Sequence, residues 1–223
     1  MGETEQGMDG VLRELRKSKQ DFWDNCKDVE FENKGISNIE AFYLWALIGH
    51  FRPEVVFESE IYRGRSTEII ARACKYYGVD KHIAVDTSNL QEEYARKKLE
   101  PYDIEYVIMD STERLQKENP TRPTFYFVDG PKSGEPLCRL VDQIMATNWK
   151  GVVFHDCKPG GTTRKTLKKY RKHCFNGVLR FLSPEDSCDL EDLNDPYWRW
   201  YTEQQKANPE KQRNRMPCIG VWI

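Results

Sequence analysis

Acidic side chains stand at the ends of apolar, strand-like runs, and their positions are the main chemical signal in this sequence. Four runs end in single acids and a fifth ends in a His-Asp pair: Glu58, Asp86, Asp110, Asp129 and His155-Asp156. In an open sheet of parallel strands, ligands bind in the crevice outside the carboxyl ends of the strands. Any one of these acids could instead cap the following helix, because Asp is a preferred N-cap residue. Taken together, they predict one small-molecule site at this edge of the sheet.

The stretch PEVVFESEIYRGRST (residues 53–67) predicts how one part of the site is built. An apolar strand ends at Glu58, a turn contains Gly64, and Ser66 opens a helix. Glycine lets the backbone and a ligand approach closely, and the helix N-terminus offers unpaired N–H groups. Asp86 follows Gly64 by 22 residues, close to the spacing of about 20 at which an acid holds ribose hydroxyls in nucleotide-binding α/β folds.

Asp129, His155 and Asp156 are the candidate catalytic residues and metal ligands, because they would lie at neighbouring strand ends. Two carboxylates and an imidazole can hold a hard divalent cation such as Mg²⁺, with water and substrate oxygens completing the shell. They could equally deprotonate a hydroxyl, since histidine titrates near neutrality and an adjacent acid orients it. A simpler alternative is that His155 and Asp156 cap the Gly160-Gly161 turn and the next helix.

The elements that must position these residues alternate along the chain. Five repeats of strand then helix predict a largely parallel sheet with helices on both faces. Two further strands, Gly177–Ser183 and Cys218–Ile223, have no clear crossover helix between them and predict an antiparallel hairpin at the sheet edge. Ser37-Asn38-Ile39-Glu40 forms a capping box that opens an apolar helix. We predict an N-terminal helical arm at 1–36 and a single domain at 37–223, with 184–217 as an excursion between the last two strands.

The composition of the chain argues against some classes of binding partner. The chain has 223 residues and a net charge of −2, so no global field recruits nucleic acid or an anionic membrane. No apolar run approaches the roughly 20 residues that span a bilayer. The polar N-terminus does not resemble a secretion signal. Seven scattered cysteines without a CxxC pair favour reduced thiols in a cytoplasmic protein. We expect a small-molecule substrate, no nucleic-acid or membrane partner, and any homo-oligomer to form through the N-terminal helices.

Four motifs carry a resemblance to a known family. ESEIYRGRST, HIAVD, FYFVDGPKSG and VVFHD resemble the ordered motifs of class I S-adenosylmethionine-dependent methyltransferases. The similarity is closer to the branch of cephalosporin-hydroxylase-like and antibiotic-sugar O-methyltransferases. It implies a Rossmann-like, mostly parallel seven-stranded sheet with an antiparallel terminal hairpin. It also implies methyl transfer from S-adenosylmethionine to a hydroxyl of a small molecule or sugar, with magnesium in the metal-dependent members.

The resemblance also implies roles for individual residues. Glu58, Gly64 and Ser66 would surround the methionine part of S-adenosylmethionine, and Asp86 would hold the ribose. Asp110 and Ser111 would lie beside the adenine. Asp129 and Asp156, with His155, would correspond to the magnesium site or the catalytic base.

Glu60 departs from the family pattern, because it stands where the first motif has its first glycine. A carboxylate adds bulk there and places like charge opposite the carboxylate of the cofactor. Glu60 would then turn outward, bind the cofactor ammonium or weaken cofactor binding. The last case gives the alternative function, a non-catalytic protein that keeps the methyltransferase fold. A nicotinamide-dependent oxidoreductase is a third reading, although GRST lacks the G-x-G-x-x-G spacing.

Overall fold

One sheet of seven strands lies at the centre of the fold. The computed structural model describes residues 10–11, 13–29, 35–118, 120–174, 179–182 and 219–222. Within those ranges the strands are β1 (Val55–Ser59), β2 (Lys81–Asp86), β3 (Glu105–Ile108), β4 (Thr124–Val128), β5 (Trp149–Phe154), β6 (Leu179–Phe181) and β7 (Gly220–Trp222). The predicted excursion at 184–217 falls outside the described residues.

The strand order β3-β2-β1-β4-β5-β7-β6 confirms the predicted fold class. Strands β1 to β5 pair in parallel. Strand β7 lies between β5 and β6 and is antiparallel to both, as expected for a terminal hairpin at the sheet edge. The order reverses between β1 and β4, and such a reversal is where open α/β sheets form their ligand crevice.

A helix follows each of the five parallel strands. The helices with defined bounds are α1 (Lys19–Cys26), α2 (Asn38–Phe51), α3 (Arg65–Tyr77), α4 (Glu92–Leu99), α5 (Ser111–Glu118), α6 (Gly134–Met145) and α7 (Thr162–Cys174). The helix after each parallel strand agrees with the predicted alternation of strand and helix. In the ranges given above, every helix is too short or too polar to cross a membrane.

Apolar side chains cover both faces of the sheet. Because successive side chains of a strand point to opposite faces, Val56 of β1 packs with helices α2 and α3, whereas Phe57 packs with helix α6. All five residues of β1 and of β4 are buried. This explains why both strands have apolar runs without alternation. The rigid two-sided packing fixes the positions of the strand ends.

The N-terminal helical residues pack onto their own chain. Val11, Leu15 and Phe22 are buried in the same apolar cluster as α2. Arg72 of α3 donates a hydrogen bond to the carbonyl oxygen of Asn25 (2.6 Å). This bond joins the end of α1 to α3, which packs on the sheet. These apolar side chains of the N-terminal arm therefore lie in the core. Homo-oligomer formation through these helices stays a prediction.

The predicted capping box opens α2. Ser37 Oγ accepts a hydrogen bond from the Glu40 N–H (3.3 Å), and the Ser37 N–H donates to Glu40 Oε2 (2.7 Å). Two of the N–H groups that a helix start leaves unpaired are thereby satisfied. The same contacts fix the Glu40 side chain, which reaches the site described below.

Replacing Ser37 by alanine should destabilise the fold by about 1 kcal/mol, the usual effect of losing an N-cap hydroxyl. Urea unfolding should show a lower midpoint with an unchanged slope. Ser133→Ala is the matched control, because Ser133 precedes α6 at the equivalent position without a side-chain capping bond. Equal losses in both variants would contradict the assigned role of the capping box.

Candidate functional site

The acids predicted at strand ends lie along one edge of the sheet. Glu58 lies in β1 and Asp86 ends β2, while Asp129 directly follows β4 and His155-Asp156 directly follows β5. Strands β2, β1, β4 and β5 are consecutive neighbours in the sheet. The structure thus brings together these five predicted site residues.

Glu58 is buried beneath the first turn of α3. Its Oε1 accepts a hydrogen bond from Ser66 Oγ (2.5 Å), and its Oε2 lies 3.3 Å from Nε2 of the buried His82. The carboxylate is completely excluded from solvent. Glu58 and Ser66 therefore bind each other and hold the strand-to-helix turn in place, and their predicted contact with S-adenosylmethionine stays a prediction.

Asp86 organises the loop that follows β1. Its Oδ2 accepts hydrogen bonds from the backbone N–H groups of Ile61 (3.0 Å) and Tyr62 (2.8 Å), and its Oδ1 accepts one from Ser88 (2.8 Å). A carboxylate offers about four acceptor positions. These three bonds leave about one position for a ligand, so Asp86 could hold a single ribose hydroxyl rather than grip both.

The same loop has an unusual backbone. Glu60 (φ 69°), Tyr62 (φ 51°) and Gly64 (φ 74°) all have left-handed conformations. Glycine adopts this region freely, but other residues do so at a cost and often at functional sites. The hydrogen bonds that Ile61 and Tyr62 donate to Asp86 stabilise the strained loop that contains Glu60.

Glu60 lies across the crevice and does not turn outward. Its carboxylate is half-buried and lies 3.3 Å from Thr87 Oγ1 on the β2 side. Its methylene chain passes over Gly130 on the β4 side, where a Cβ atom would collide with Glu60 Cγ. Glu60 thus spans the gap between the ends of β2 and β4.

Burial raises the pKa of Glu60 above its ordinary value, and the nearby carboxylates of Asp86 and Asp129 raise it further. Thr87 and Lys132 act in the opposite direction but do not offset these effects. Three carboxylates therefore face one another across the crevice. Such an arrangement attracts a cationic group, because a positive charge would relieve their repulsion.

Asp110 and Ser111 lie beyond the end of β3. Asp110 Oδ1 accepts hydrogen bonds from the backbone N–H groups of Thr112 (2.9 Å) and Glu113 (3.0 Å). It is therefore the N-cap of α5, as the simpler alternative predicted. The Ser111 hydroxyl is buried and has no hydrogen-bond partner in the part of the chain that the structure describes. This hydroxyl is free to bind a ligand, whereas Asp110 mainly stabilises the helix.

A charged cluster forms the other half of the site. His155 Nδ1 lies 2.6 Å from Asp129 Oδ1, and the ammonium of Lys132 contacts the same oxygen. Lys132 also forms an ion pair with Asp156 Oδ2 at 2.8 Å. Asp156 has a left-handed backbone (φ 57°) and a side chain that is 43% exposed. Asp156 is therefore the carboxylate of this cluster most accessible to a substrate.

His155 lies between two carboxylates, because its Nε2 also faces Glu40 Oε1 at 3.4 Å. Burial alone would lower the pKa of His155, but the negative charges of Asp129 and Glu40 raise it well above the ordinary value. Burial would raise the pKa of Asp156, but the positive charges of His155 and Lys132 lower it. These opposite shifts favour an imidazolium beside ionised carboxylates in the free site. In its imidazolium form His155 cannot accept a proton.

The fit of a metal ion depends on Lys132. Asp129, His155 and Asp156 each bring a ligand atom within 4.8 Å of the others, and their donor types suit a divalent cation. However, the Lys132 ammonium lies between the two carboxylates. A metal would need the space that this side chain fills, so the residues do not fit a metal as arranged. The predicted magnesium site stays a prediction that requires Lys132 to move.

Two site residues were not predicted from sequence. Lys132 lies three positions after Asp129, within the quoted motif FYFVDGPKSG, and this spacing across a turn was the signal that could have identified it. Glu40 was recognised only as a capping residue. Its second carboxylate oxygen reaches His155 because α2 packs against the sheet near β5, which depends on tertiary structure.

Comparison with solved structures identifies the fold. The O-methyltransferase TomG of Streptomyces achromogenes, involved in tomaymycin synthesis and solved with S-adenosylmethionine, is similar at a TM-score of 0.60 and 10% identity, over 96% of this chain and 88% of that chain. An O-methyltransferase of Bacillus cereus in complex with S-adenosylhomocysteine is similar at a TM-score of 0.58 and 11% identity, over 96% and 90% of the two chains.

This chain has the fold of those O-methyltransferases. At such low identity the likeness establishes the fold alone. Comparisons with protein-family models and with curated proteins give no match.

Glu60→Gln should stabilise the free protein more at neutral pH than in acid. Because the folded-state pKa of Glu60 lies above its unfolded value, the folded chain retains a proton that the unfolded chain has lost. Stability then falls as pH rises through that interval. The variant lacks this effect, so its melting temperature should match the native value at about pH 4 and exceed it at about pH 7.

Glu93→Gln is the matched control, because Glu93 is exposed on α4. Melting curves of the three proteins across this pH range provide the measurement. A constant difference between Glu60→Gln and the native protein, or one of the opposite sign, would contradict the assigned position of Glu60.

Proposed function

We propose that this protein is an S-adenosylmethionine-dependent O-methyltransferase that acts on a hydroxyl of a small molecule or sugar. The observation that carries the proposal is the set of three carboxylates, Glu60, Asp86 and Asp129, facing one crevice at the strand ends. S-adenosylmethionine suits such a crevice because it carries positive charge on both its sulfonium and its ammonium group. The fold shared with O-methyltransferases supports the same assignment.

Glu60 is the proposed partner of the cofactor ammonium. Its carboxylate already lies in the crevice, where burial and the charges of Asp86 and Asp129 raise its pKa. An ammonium placed against it would form a charge-assisted hydrogen bond. The bulk of Glu60 at a family glycine position would then be a recognition feature of this chain.

Asp86 and Ser111 are the proposed contacts of the adenosine part. Asp86 Oδ1 retains acceptor capacity beside its bond from Ser88. The orphaned hydroxyl of Ser111 can donate to a ring nitrogen or accept from the exocyclic amine. Both residues end or follow neighbouring strands, β2 and β3, as a bound nucleoside would require.

The acceptor hydroxyl would bind at the charged cluster beside Lys132 and Asp156. When bound, S-adenosylmethionine supplies an activated methyl group, and its sulfur keeps the electron pair of the broken carbon–sulfur bond. The chain then has to hold the acceptor oxygen in line and receive its proton. Asp156 is the proposed hydrogen-bond acceptor for the hydroxyl, because it is ionised and 43% exposed. Magnesium assistance would require Lys132 to leave its position.

Calorimetric titration with S-adenosylmethionine tests the proposal. We expect micromolar-range binding by the native protein and about tenfold weaker binding by Glu60→Gln, a loss of about 1.4 kcal/mol from the missing ion pair. Glu93→Gln, with the same charge change on an exposed surface, should bind like the native protein.

Three results would count against the proposal. No heat of binding, with or without Mg²⁺, would reject it. Binding that appears only in Glu60→Gly would indicate a non-catalytic protein with the methyltransferase fold. Thermal stabilisation by NAD and not by S-adenosylmethionine would favour an oxidoreductase.

A further inference from the structure

Lys132 stands where a divalent cation would join two carboxylates. Its ammonium contacts Asp129 Oδ1 and lies 2.8 Å from Asp156 Oδ2. These two acids are also two of the three residues whose ligand atoms cluster within 4.8 Å. The lysine and a metal ion would therefore compete for the same carboxylate oxygens.

The chain geometry favours the lysine in this competition. Lys132 follows Asp129 by three residues across a short turn, so its ammonium is held beside the carboxylates at a high effective concentration. Asp129 Oδ1 also contacts His155 Nδ1 at 2.6 Å. A metal would have to break both contacts before it could bind that oxygen. Mg²⁺, the predicted metal, also loses its bound water reluctantly.

We propose that Lys132 is a built-in cation that takes the place of a metal ion in this site. The ammonium provides the positive charge that holds Asp129 and Asp156 together. It carries three N–H donors, of which the two carboxylates take two. In the proposed methyltransferase function, the third N–H group of Lys132 is available to the acceptor oxygen. Cofactor binding and methyl transfer by the native protein would then be independent of divalent cations.

The proposal predicts that removing the lysine creates a metal site. Lys132→Ala removes the ammonium between Asp129 and Asp156 and leaves His155 as their neighbouring cation, which is unfavourable for the folded protein. A divalent cation should fill the vacancy and restore stability. Lys158→Ala is the matched control, because Lys158 is exposed just after Asp156 and its loss changes the net charge equally.

Titration of each full-length protein with Mn²⁺, followed by the electron paramagnetic resonance of the free ion, measures the site directly. We expect Lys132→Ala to bind Mn²⁺ at least about tenfold more tightly than the native protein and Lys158→Ala. Mn²⁺ should also raise the melting temperature of Lys132→Ala alone, because a ligand that binds only the folded state stabilises it. The double variant Lys132→Ala/Asp156→Asn should lose the gained site.

Two outcomes would overturn the proposal. The first is native protein that binds Mn²⁺ as tightly as Lys132→Ala. The second is a folded Lys132→Ala variant that gains no affinity for Mn²⁺. If Lys132→Ala does not fold, Lys132→Ser provides the same test. S-adenosylmethionine binding by the native protein is measured separately. Its absence would reject the proposed function, while the Mn²⁺ result would still decide the role of Lys132.

Discussion

Repulsion among carboxylates at one edge of the sheet is the constraint on which the site depends. Parallel strands place their carboxyl ends side by side, and this chain puts an acid at or just after four neighbouring ends. Nearby hydrogen-bond donors or cations compensate the negative charge of most of these acids. Glu58 is hydrogen-bonded by Ser66, Asp86 by three backbone N–H groups, and the Asp129–Asp156 pair by Lys132. Glu60 differs, because burial and neighbouring carboxylates raise its pKa and Thr87 and Lys132 do not offset these effects.

The fold maintains this arrangement from both sides. Helices α2 and α3 cover one face of the sheet and α6 and α7 the other, so the strand ends cannot separate to reduce repulsion. The left-handed backbone of Glu60 and Tyr62 is held by the Asp86 carboxylate. Strain and uncompensated charge at a rigid crevice both lower stability in the free protein. Such strain and uncompensated charge are typical of sites where a bound ligand offsets the loss of stability.

The sequence predicted the fold almost completely, because each local signal agreed with the global pattern. The capping box at Ser37 and the unbroken apolar runs of β1 and β4 identified their elements without tertiary information. The position of strand β7 required tertiary information, because its place between β5 and β6 depends on pairing between segments far apart in the chain.

The sequence predicted which acids share one sheet edge but not which side chains they contact. Strand ends reveal which acids share an edge, and Glu58, Asp86, Asp129 and Asp156 do share it. Side-chain partners depend on distances that the sequence does not encode locally. For this reason the burial of Glu58 and the contact between Glu40 and His155 emerged only from the structure. Lys132 was part of a recognised motif, yet its bridging position depends on how the turn after β4 folds.

The most direct test of the account is a crystal structure of the native protein grown with S-adenosylmethionine. The account predicts that the ligand lies over the carboxyl ends of β1, β2 and β4, with its ammonium group within hydrogen-bonding distance of the Glu60 carboxylate. A ligand bound elsewhere, or a Glu60 side chain directed away from the bound ammonium, would contradict it.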